Sequence, residues 1–554
     1  MDFKQEIISA LKKETKLKEI NLETPPYPEL GDYAFACFEL AKRQKKNPNE
    51  IAQELCRKIK PSNGVKSIEA NGPYLNFFIE KGRLAEGTLK EILAKKEKYG
   101  SMGLKNKKAL VEHTSINPNA SPHVGRARNG IIGDALTRLL KFNGYKTEVH
   151  YYVNDVGKQI AMLVYAARNK KPSFSSLLKL YIDINKKIEK NKKLEKEIFD
   201  LLYRLEKGDK KIRKRFRGIV DICIKGQVKI LSELGISYDC FDYESKYLWN
   251  KETEKVLKKL KGTGKLFVDE DKRYVLDQEG YGLAMKSPVL VLTRSDKTSL
   301  YPLRDVAYNM EKLKRAGDEN IVVLGEDQKL YFQQIRAALD LLKLKAPQVV
   351  HYSHVLLKTG KMSTRTGNLV LLEDFMKEAV KKAKQEIKKR KRARLTEGLA
   401  QAIGYGAIKY SMIKVSPEKN VLFDWEQALN FEGETGPYVQ YAHARICSIL
   451  RKYGKNIDTK ISPKLLKSKE EIELIKKLAE FPEIAEKALN EVKIHLIAYY
   501  SYELAKRFND FYEACPVLRE KEEIRKARLL LISCVKQVLG NSLGVLGIEA
   551  PERM

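Results

Sequence analysis

Cysteine is sparse and scattered: seven residues, at 37, 56, 223, 240, 447, 515 and 534, with no C-x-x-C pair. That pattern excludes a disulfide framework and a zinc ribbon, points to a reducing compartment, and gives no reason to expect a metal held by the protein. Long apolar runs are missing too. Stretches such as Pro288-Val289-Leu290-Val291-Leu292 are strand-length, far short of the ~20 residues that cross a bilayer. The opening Met1-Asp2-Phe3-Lys4-Gln5-Glu6 turns charged at once, unlike a signal peptide. Internal repeats and low-complexity linkers are absent. Acidic residues are the other shortage: Asp+Glu number 72 against 105 Lys+Arg, a net charge of +33. A cytoplasmic protein with a polyanionic partner is expected, nucleic acid or an anionic membrane surface.

What is present is ample. The 554 residues are 43% hydrophobic and 32% charged, enough for several cores and too apolar for wholesale disorder. Residues 1–82 read as a small mixed domain. Its helix patterns cover Ile7, Ile8 and Leu11, and then Tyr33 through Ala41. Near its end, Ser67 to Ile79 forms two strands around a Gly-Pro turn. Residues 83–394 alternate strands and helices, the pattern of a doubly wound parallel sheet. The first strand is Ala109-Leu110-Val111, an amphipathic helix carries Ile131, Ile132, Ala135, Leu136, Leu139 and Leu140, and the next strand spans Thr147 to Val153. Lys/Glu-rich helices from about 165 to 230 read as an insertion between the halves of the sheet, whose signals resume at Pro288–Thr293 and Asn320–Gly325. Residues 377–394 form a basic helix, and 395–554 read as helical.

Two elements carry chemistry. Asn117-Pro118-Asn119-Ala120-Ser121-Pro122-His123-Val124-Gly125-Arg126 joins the first strand to the N-terminus of its helix, where free N–H groups and the helix dipole favour phosphate. Gly125 lets a nucleotide approach the backbone. The His123 imidazole can donate to a phosphoryl oxygen, and Arg126 and Arg128 add fixed charge. By itself this turn reads rather as a loop histidine before a solvated basic helix face. The second element, Thr359-Gly360-Lys361-Met362-Ser363-Thr364-Arg365-Thr366-Gly367-Asn368, has two glycines, several hydroxyls and two strong cations, suited to closing over a triphosphate. It is not a P-loop: G-x-x-x-x-G-K-S/T needs glycine where Val355 sits and Ser/Thr where Met362 sits.

In this order and about 240 residues apart (counted along the sequence), the two elements resemble the HIGH and KMSK signatures of class I aminoacyl-tRNA synthetases, at 123–126 and 361–365. The likeness sharpens to the arginyl-tRNA synthetase family through Val111 to Pro118, Tyr152 to Ile160, Tyr301 to Tyr308, Gly325 to Gln328, Phe431 to Arg445 and Leu546 to Met554. It implies a Rossmann-like catalytic domain between an N-terminal domain touching the tRNA corner and a helical anticodon-binding bundle. It further implies catalytic roles for His123, Gly125, Arg126, Lys361, Met362, Ser363 and Arg365. ATP would lie on Ser115, Pro118, His123, Gly125, Asn129 and Lys361, with magnesium carried on its phosphates. Arginine would lie among Glu112, Asn117, Tyr301, Asp305 and Gln328. A planar five-donor guanidinium suits two carboxylates and an amide. Asp305 also reads as an ion-pair partner of Arg304. Contacts to tRNA would come from Asn71, Tyr74 and Asn76, and from Tyr438, Tyr441 and Arg445 with His443 and Arg451 nearby, since π-faces and cations suit unpaired bases.

The departures from the family pattern are Arg126 for a signature histidine, Thr364 for a lysine, and no lysine in Asn119-Ala120-Ser121. The implied reaction forms arginyl-adenylate and pyrophosphate from arginine and ATP, then esterifies the terminal ribose of tRNA(Arg) in a monomer that commonly needs bound tRNA first. Three rivals are a non-catalytic tRNA-binding paralogue, a class I synthetase of another specificity and a small HxGH nucleotidyltransferase, for which the long helical tail would have no reason. The scattered cysteines oppose a cysteine-specific site, and Glu112 with Asp305 opposes a glutamate-specific one.

Overall fold

The computed structural model describes residues 3–23, 25, 27–61, 64–169, 171–357, 370–390 and 395–554. They group into two compact units, Met1–Tyr99 with Arg445–Phe481 and Glu503–Leu539, and Gly100–Ala444 with Pro482–Tyr502 and Gly540–Met554.

The second unit is built on five strands: β1 (Lys108–Glu112), β2 (Lys146–Val153), β3 (Cys240–Tyr243), β4 (Glu319–Gly325) and β5 (Gln348–Tyr352). All neighbours are parallel, in the order β5-β4-β1-β2-β3. This is the doubly wound arrangement, and its switch point lies between β1 and β4, where ligands bind beyond the carboxyl ends of the strands. Strands covered on both faces need continuous apolar runs. Accordingly Ala109, Leu110, Val111, Ile321, Val322 and Val323 are all buried.

Helix α1 (Val124–Phe142) is not amphipathic as its spacing predicts. It is buried nearly all round, Arg128, Asn129 and Asp134 included. Gly133 permits this, since a Cβ there would stand 2.3 Å from Cγ of His113. The Lys/Glu-rich insertion is not peripheral either. Its helices Phe174–Lys190, Lys192–Glu206 and Lys210–Glu233 bring Leu177, Ile184, Ile198, Leu205, Phe216 and Val220 into one core with Tyr151 and Val153 of β2. Each fully buried side chain of this size contributes about 1.5–3 kcal/mol.

Two local expectations fail. Pro288–Thr293 does contain a strand, Val289–Val291, but it pairs antiparallel in a separate three-stranded sheet with Tyr274–Asp277 and Leu266–Val268. In the first unit Tyr33–Ala36 is a strand rather than helix. It pairs with Tyr74–Ile79 in a four-stranded antiparallel sheet, and the helix begins only at Phe38. The Gly-Pro hairpin expected at 67–79 is present as Val65–Asn71 against Tyr74–Ile79.

The rest of that unit is helical. The Tyr99 hydroxyl donates to the Leu478 carbonyl at 3.0 Å, Lys476 pairs with Asp32 at 2.6 Å and Arg528 with Glu471 at 2.7 Å. No helix among the described residues is long and apolar enough to cross a membrane.

Candidate active site

β1 ends at Glu112, and the chain turns at once through Thr114 (φ 75°) and Ser115 (φ 42°). A β-branched residue in the left-handed region costs about 1–3 kcal/mol and persists only where its surroundings hold it. Here the Tyr238 hydroxyl donates to Thr114 Oγ1 at 2.7 Å, and the Thr114 N–H donates to Asn129 Oδ1 at 2.6 Å. The other end of the Asn129 amide donates to the Val323 carbonyl at 2.9 Å. Asn129, expected on the nucleotide, is therefore buried and committed to bracing β1 against β4 across the switch point.

The signature turn follows. His123 is the N-cap residue of α1, yet its side chain makes no capping bond. Its Nδ1 is buried without a hydrogen-bond partner among the described residues, as are the hydroxyls of Ser115 and Ser121. Burial, then the charge of Arg126, pushes the imidazole pKa down to about 4, so the ring is neutral near pH 7 and keeps one N–H to donate.

Arg126 makes no ion pair or side-chain hydrogen bond among the described residues and faces a cavity of about 260 Å³. That cavity is lined by His123, Gly125, Arg126, Gly325, Glu326, Asp327, Tyr352, His354, Val355 and Leu356. It thus lies at the carboxyl ends of β4 and β5, against the positive end of α1.

Arg128 corrects the expectation of a second free cation. It is 0% exposed and donates to the carbonyls of Ser353 and Lys419, both at 2.8 Å, and of Met412, Val415 and Ser416 at 3.1–3.3 Å. The Met412 carbonyl lies in the last turn of the helix Glu397–Ile413 and those of Val415 and Ser416 follow just beyond it, where a cation also meets the negative end of the dipole. Arg128 is a staple, with nothing left for phosphate.

The KMSK-like residues Lys361, Met362, Ser363, Thr364 and Arg365 lie outside the described residues. Their flanks are informative. Val355 and Leu356, just before, line the cavity. Just after, the Val370 carbonyl accepts from the Val124 N–H at 3.2 Å, and the Leu372 N–H donates to the Pro122 carbonyl at 2.8 Å. The described residues on either side of 358–369 thus meet the signature turn or its cavity.

The proposed amino-acid site forms around α2 (Tyr301–Ala316). Asp305 does not pair with Arg304, which turns instead to Glu244 at 2.7 Å. The Asp305 carboxylate accepts from the Tyr152 hydroxyl at 3.2 Å and from the Tyr331 hydroxyl. It has no cationic partner within ion-pair distance among the described residues. Burial lifts its pKa to about 6, with the Tyr331 hydrogen bond, Arg304 and Tyr152 opposing and the Glu112 charge adding.

Glu112 differs. It is 5% exposed and ion-paired to Lys312, itself 3% exposed. The expected two-carboxylate fork therefore presents one unpaired carboxylate, with the second already neutralised. Tyr301 is exposed and lies 5.1 Å, ring to ring, from Tyr331. Gln328 ends the short 3₁₀ turn after β4, three residues before Tyr331. Asn117 donates to Gln159 at 3.2 Å, and Ser115 and Pro118 stay within the turn.

Lys312 and Glu244 have no motif that announces them. Glu244 is buried, and burial raises its pKa to about 7 against the pull of Arg304, with Asp305 adding to the rise. Its position at the carboxyl end of β3 was the available signal, because Glu112 stands at the carboxyl end of β1.

Of the residues expected to meet tRNA, Asn71 is exposed, and Tyr74 is half-buried with its ring edge-on to Phe38 at 5.8 Å. Asn76 is 5% exposed and inside the sheet, closed to a base in this conformation. Tyr438 packs 5.4 Å from Tyr502 and Tyr441 6.1 Å from Phe431. Arg445 donates to Asn509 at 2.8 Å and lies over the ring of Tyr512. His443 is buried against the Pro551 carbonyl and belongs to the core.

Comparison with known proteins agrees along the whole chain. Residues 88–425 match the model of tRNA synthetases class I (R), catalytic domain; residues 439–554 match the DALR anticodon binding domain; residues 1–79 match the arginyl tRNA synthetase N terminal domain. The arginine–tRNA ligase of Methanocaldococcus jannaschii is 41% identical over 100% of both chains, and that of Pyrococcus abyssi is 36% identical over 97% of this chain and 96% of its own. Among solved structures, the Thermus thermophilus arginyl-tRNA synthetase superposes with a TM-score of 0.88 at 28% identity, covering 100% of this chain and 99% of the other.

Proposed function

The chain belongs to the arginyl-tRNA synthetase family, and from that premise we propose how its residues divide the work. It is an arginine–tRNA ligase of class I, using ATP to join arginine to tRNA(Arg). The observation that carries the reading of the site is a carboxylate without a cationic partner among the described residues, Asp305 on α2, held by the hydroxyls of Tyr152 and Tyr331 in the same compact unit as the neutral His123 and Arg126 at the start of α1.

Arginine's guanidinium lies on Asp305, with Tyr301 and Gln328 at the rim and Glu244 behind. A charged, hydrogen-bonded partner of this kind rejects neutral isosteres, because they leave a buried carboxylate unmet. Glu112, neutralised by Lys312, shapes the floor. The arginine carboxylate then attacks the α-phosphorus of ATP in line. A P–O bond forms to arginine as the bond to pyrophosphate breaks. The His123 N–H and the N-terminus of α1 meet the phosphoryl oxygens, while Arg126, with Lys361 and Arg365, counters charge on the departing pyrophosphate. Met362 and Ser363 belong to the same signature segment, 361–365. Magnesium arrives on the triphosphate as part of the substrate.

The adenylate is then consumed by a hydroxyl of the terminal ribose, releasing AMP. Asn71 and Tyr74 face the tRNA corner, and Tyr438, Tyr441 and Arg445 serve the anticodon end. The three functional segments are 1–82, 83–394 and 395–554, acting in a cytoplasmic monomer away from membranes. A charging assay on total tRNA with each amino acid in turn tests the reading. Arginine alone should be esterified, and charging with another amino acid, or none, would refute it.

A further inference from the structure

We propose that Glu148, His150 and Cys240 form a binding site for a divalent transition-metal ion of the zinc class. None of the three lines the cavity at the nucleotide turn. His150 and Cys240 are cross-strand partners in the β2–β3 register, and Glu148 precedes His150 by two residues on the same face. Glu148 Oε1, His150 Nε2 and Cys240 Sγ all lie within 4.8 Å of one another. The carboxylate oxygen is 3.2 Å from the imidazole nitrogen and 3.1 Å from the sulfur. Around a tetrahedral ion at ordinary zinc–ligand lengths, neighbouring donors stand about 3.3–3.7 Å apart, so two of the three edges are nearly in place.

The state of the imidazole makes the case stronger. His150 is 1% exposed, and its Nδ1 is hydrogen-bonded to Asp242 Oδ2 at 2.5 Å. A carboxylate only accepts, so Nδ1 carries the proton and Nε2 presents a lone pair. That Nε2 is buried with no hydrogen-bond partner among the described residues, and it lies 3.2 Å from Glu148 Oε1, a second acceptor. Two acceptors at this distance repel unless a cation lies between them, either a second ring proton or a metal ion. A carboxylate behind the imidazole is also the usual orienting partner of a metal-bound histidine, and here the Tyr308 hydroxyl fixes it at 3.0 Å. Thiolate, imidazole and carboxylate together select zinc-like ions over calcium or magnesium.

Arg315 is the competitor. Its guanidinium contacts Glu148 and lies 3.1 Å from Cys240 Sγ, but its side chain is 38% exposed, so water would solvate it once displaced. Binding therefore breaks the Arg315–Glu148 pair, forms three metal–ligand bonds, and releases the thiol proton to solvent.

The test is titration of the full-length protein with Co²⁺, read as thiolate-to-cobalt charge-transfer absorbance and as proton release in weak buffer. The wild type should saturate at one ion per chain, and Cys240→Ala should lose the band while keeping its unfolding midpoint and charging activity. Arg315→Ala should bind about tenfold tighter, as a competitor is removed. No band in either the wild type or Arg315→Ala would mean that a proton alone fills the gap. A band that persists in Cys240→Ala would place the ion on another cysteine. Either result overturns the proposal.

Discussion

Replacing Asp305 by asparagine separates binding from folding in a way the site's electrostatics dictate. The carboxylate is lifted to about 6 mainly by burial, and no cation within ion-pair distance offsets that cost among the described residues. Relative to an ordinary aspartate at 3.8, keeping it ionised at neutral pH costs the empty fold about 3 kcal/mol, at 1.36 kcal/mol per pKa unit. Asparagine removes that cost but returns part of it, because the Tyr331 and Tyr152 hydroxyls lose a charged acceptor. The variant should therefore be more stable than the wild type, by about 1–3 kcal/mol.

Arginine recognition moves the other way. Removing one partner of a desolvated charge pair costs about 3–5 kcal/mol, a loss of roughly 150- to 5,000-fold in arginine affinity. The assay is aminoacylation with arginine and ATP varied separately, beside calorimetric arginine binding and thermal unfolding. The KM for arginine should rise by that factor while the KM for ATP moves less than about threefold. Unchanged arginine binding would remove Asp305 from the pocket, and a lower unfolding midpoint would show that its charge stabilises the empty fold.

Further outcomes follow from the same geometry. Arginine affinity should fall about tenfold between pH 7.5 and pH 5, because a carboxyl with a raised pKa near 6 is mostly protonated at the lower pH; a flat profile there contradicts the assignment. His123→Ala should slow adenylate formation by about 10²–10³ with tRNA affinity unchanged, since the imidazole acts on developing charge; equal loss of tRNA binding refutes this role. With His123 held near 4, the wild-type rate should also show no titration of this residue between pH 6 and 8. Arg128→Leu should destabilise by more than about 4 kcal/mol, because it strands five carbonyls, and a stable soluble variant would refute the staple.

The parallel sheet, the turn before α1 and the hairpin expected at 67–79 were legible because each is a local pattern: a continuous apolar run, a cluster of turn residues before a helix, and a Gly-Pro between strands. What stayed hidden depends on partners far away in sequence. Lys312 neutralises Glu112 from 200 residues away, and Arg128 caps a helix that begins at Glu397. The Tyr33–Ala36 strand was obscured by the helix that begins two residues later at Phe38, since only pairing with Tyr74–Ile79 makes it a strand. Pro288–Thr293 gives its strand locally, but not the sheet it joins. For Asn76, burial decided the matter, because a strand residue facing inward carries no sign of it in a polar name.

The most direct measurement is a crystal structure with a stable arginyl-adenylate analogue. It should place the guanidinium on Asp305 beside Tyr331, with Glu112 still on Lys312 and the phosphate against His123 and the start of α1. A guanidinium seated away from Asp305, or a phosphate away from that turn, would contradict the account.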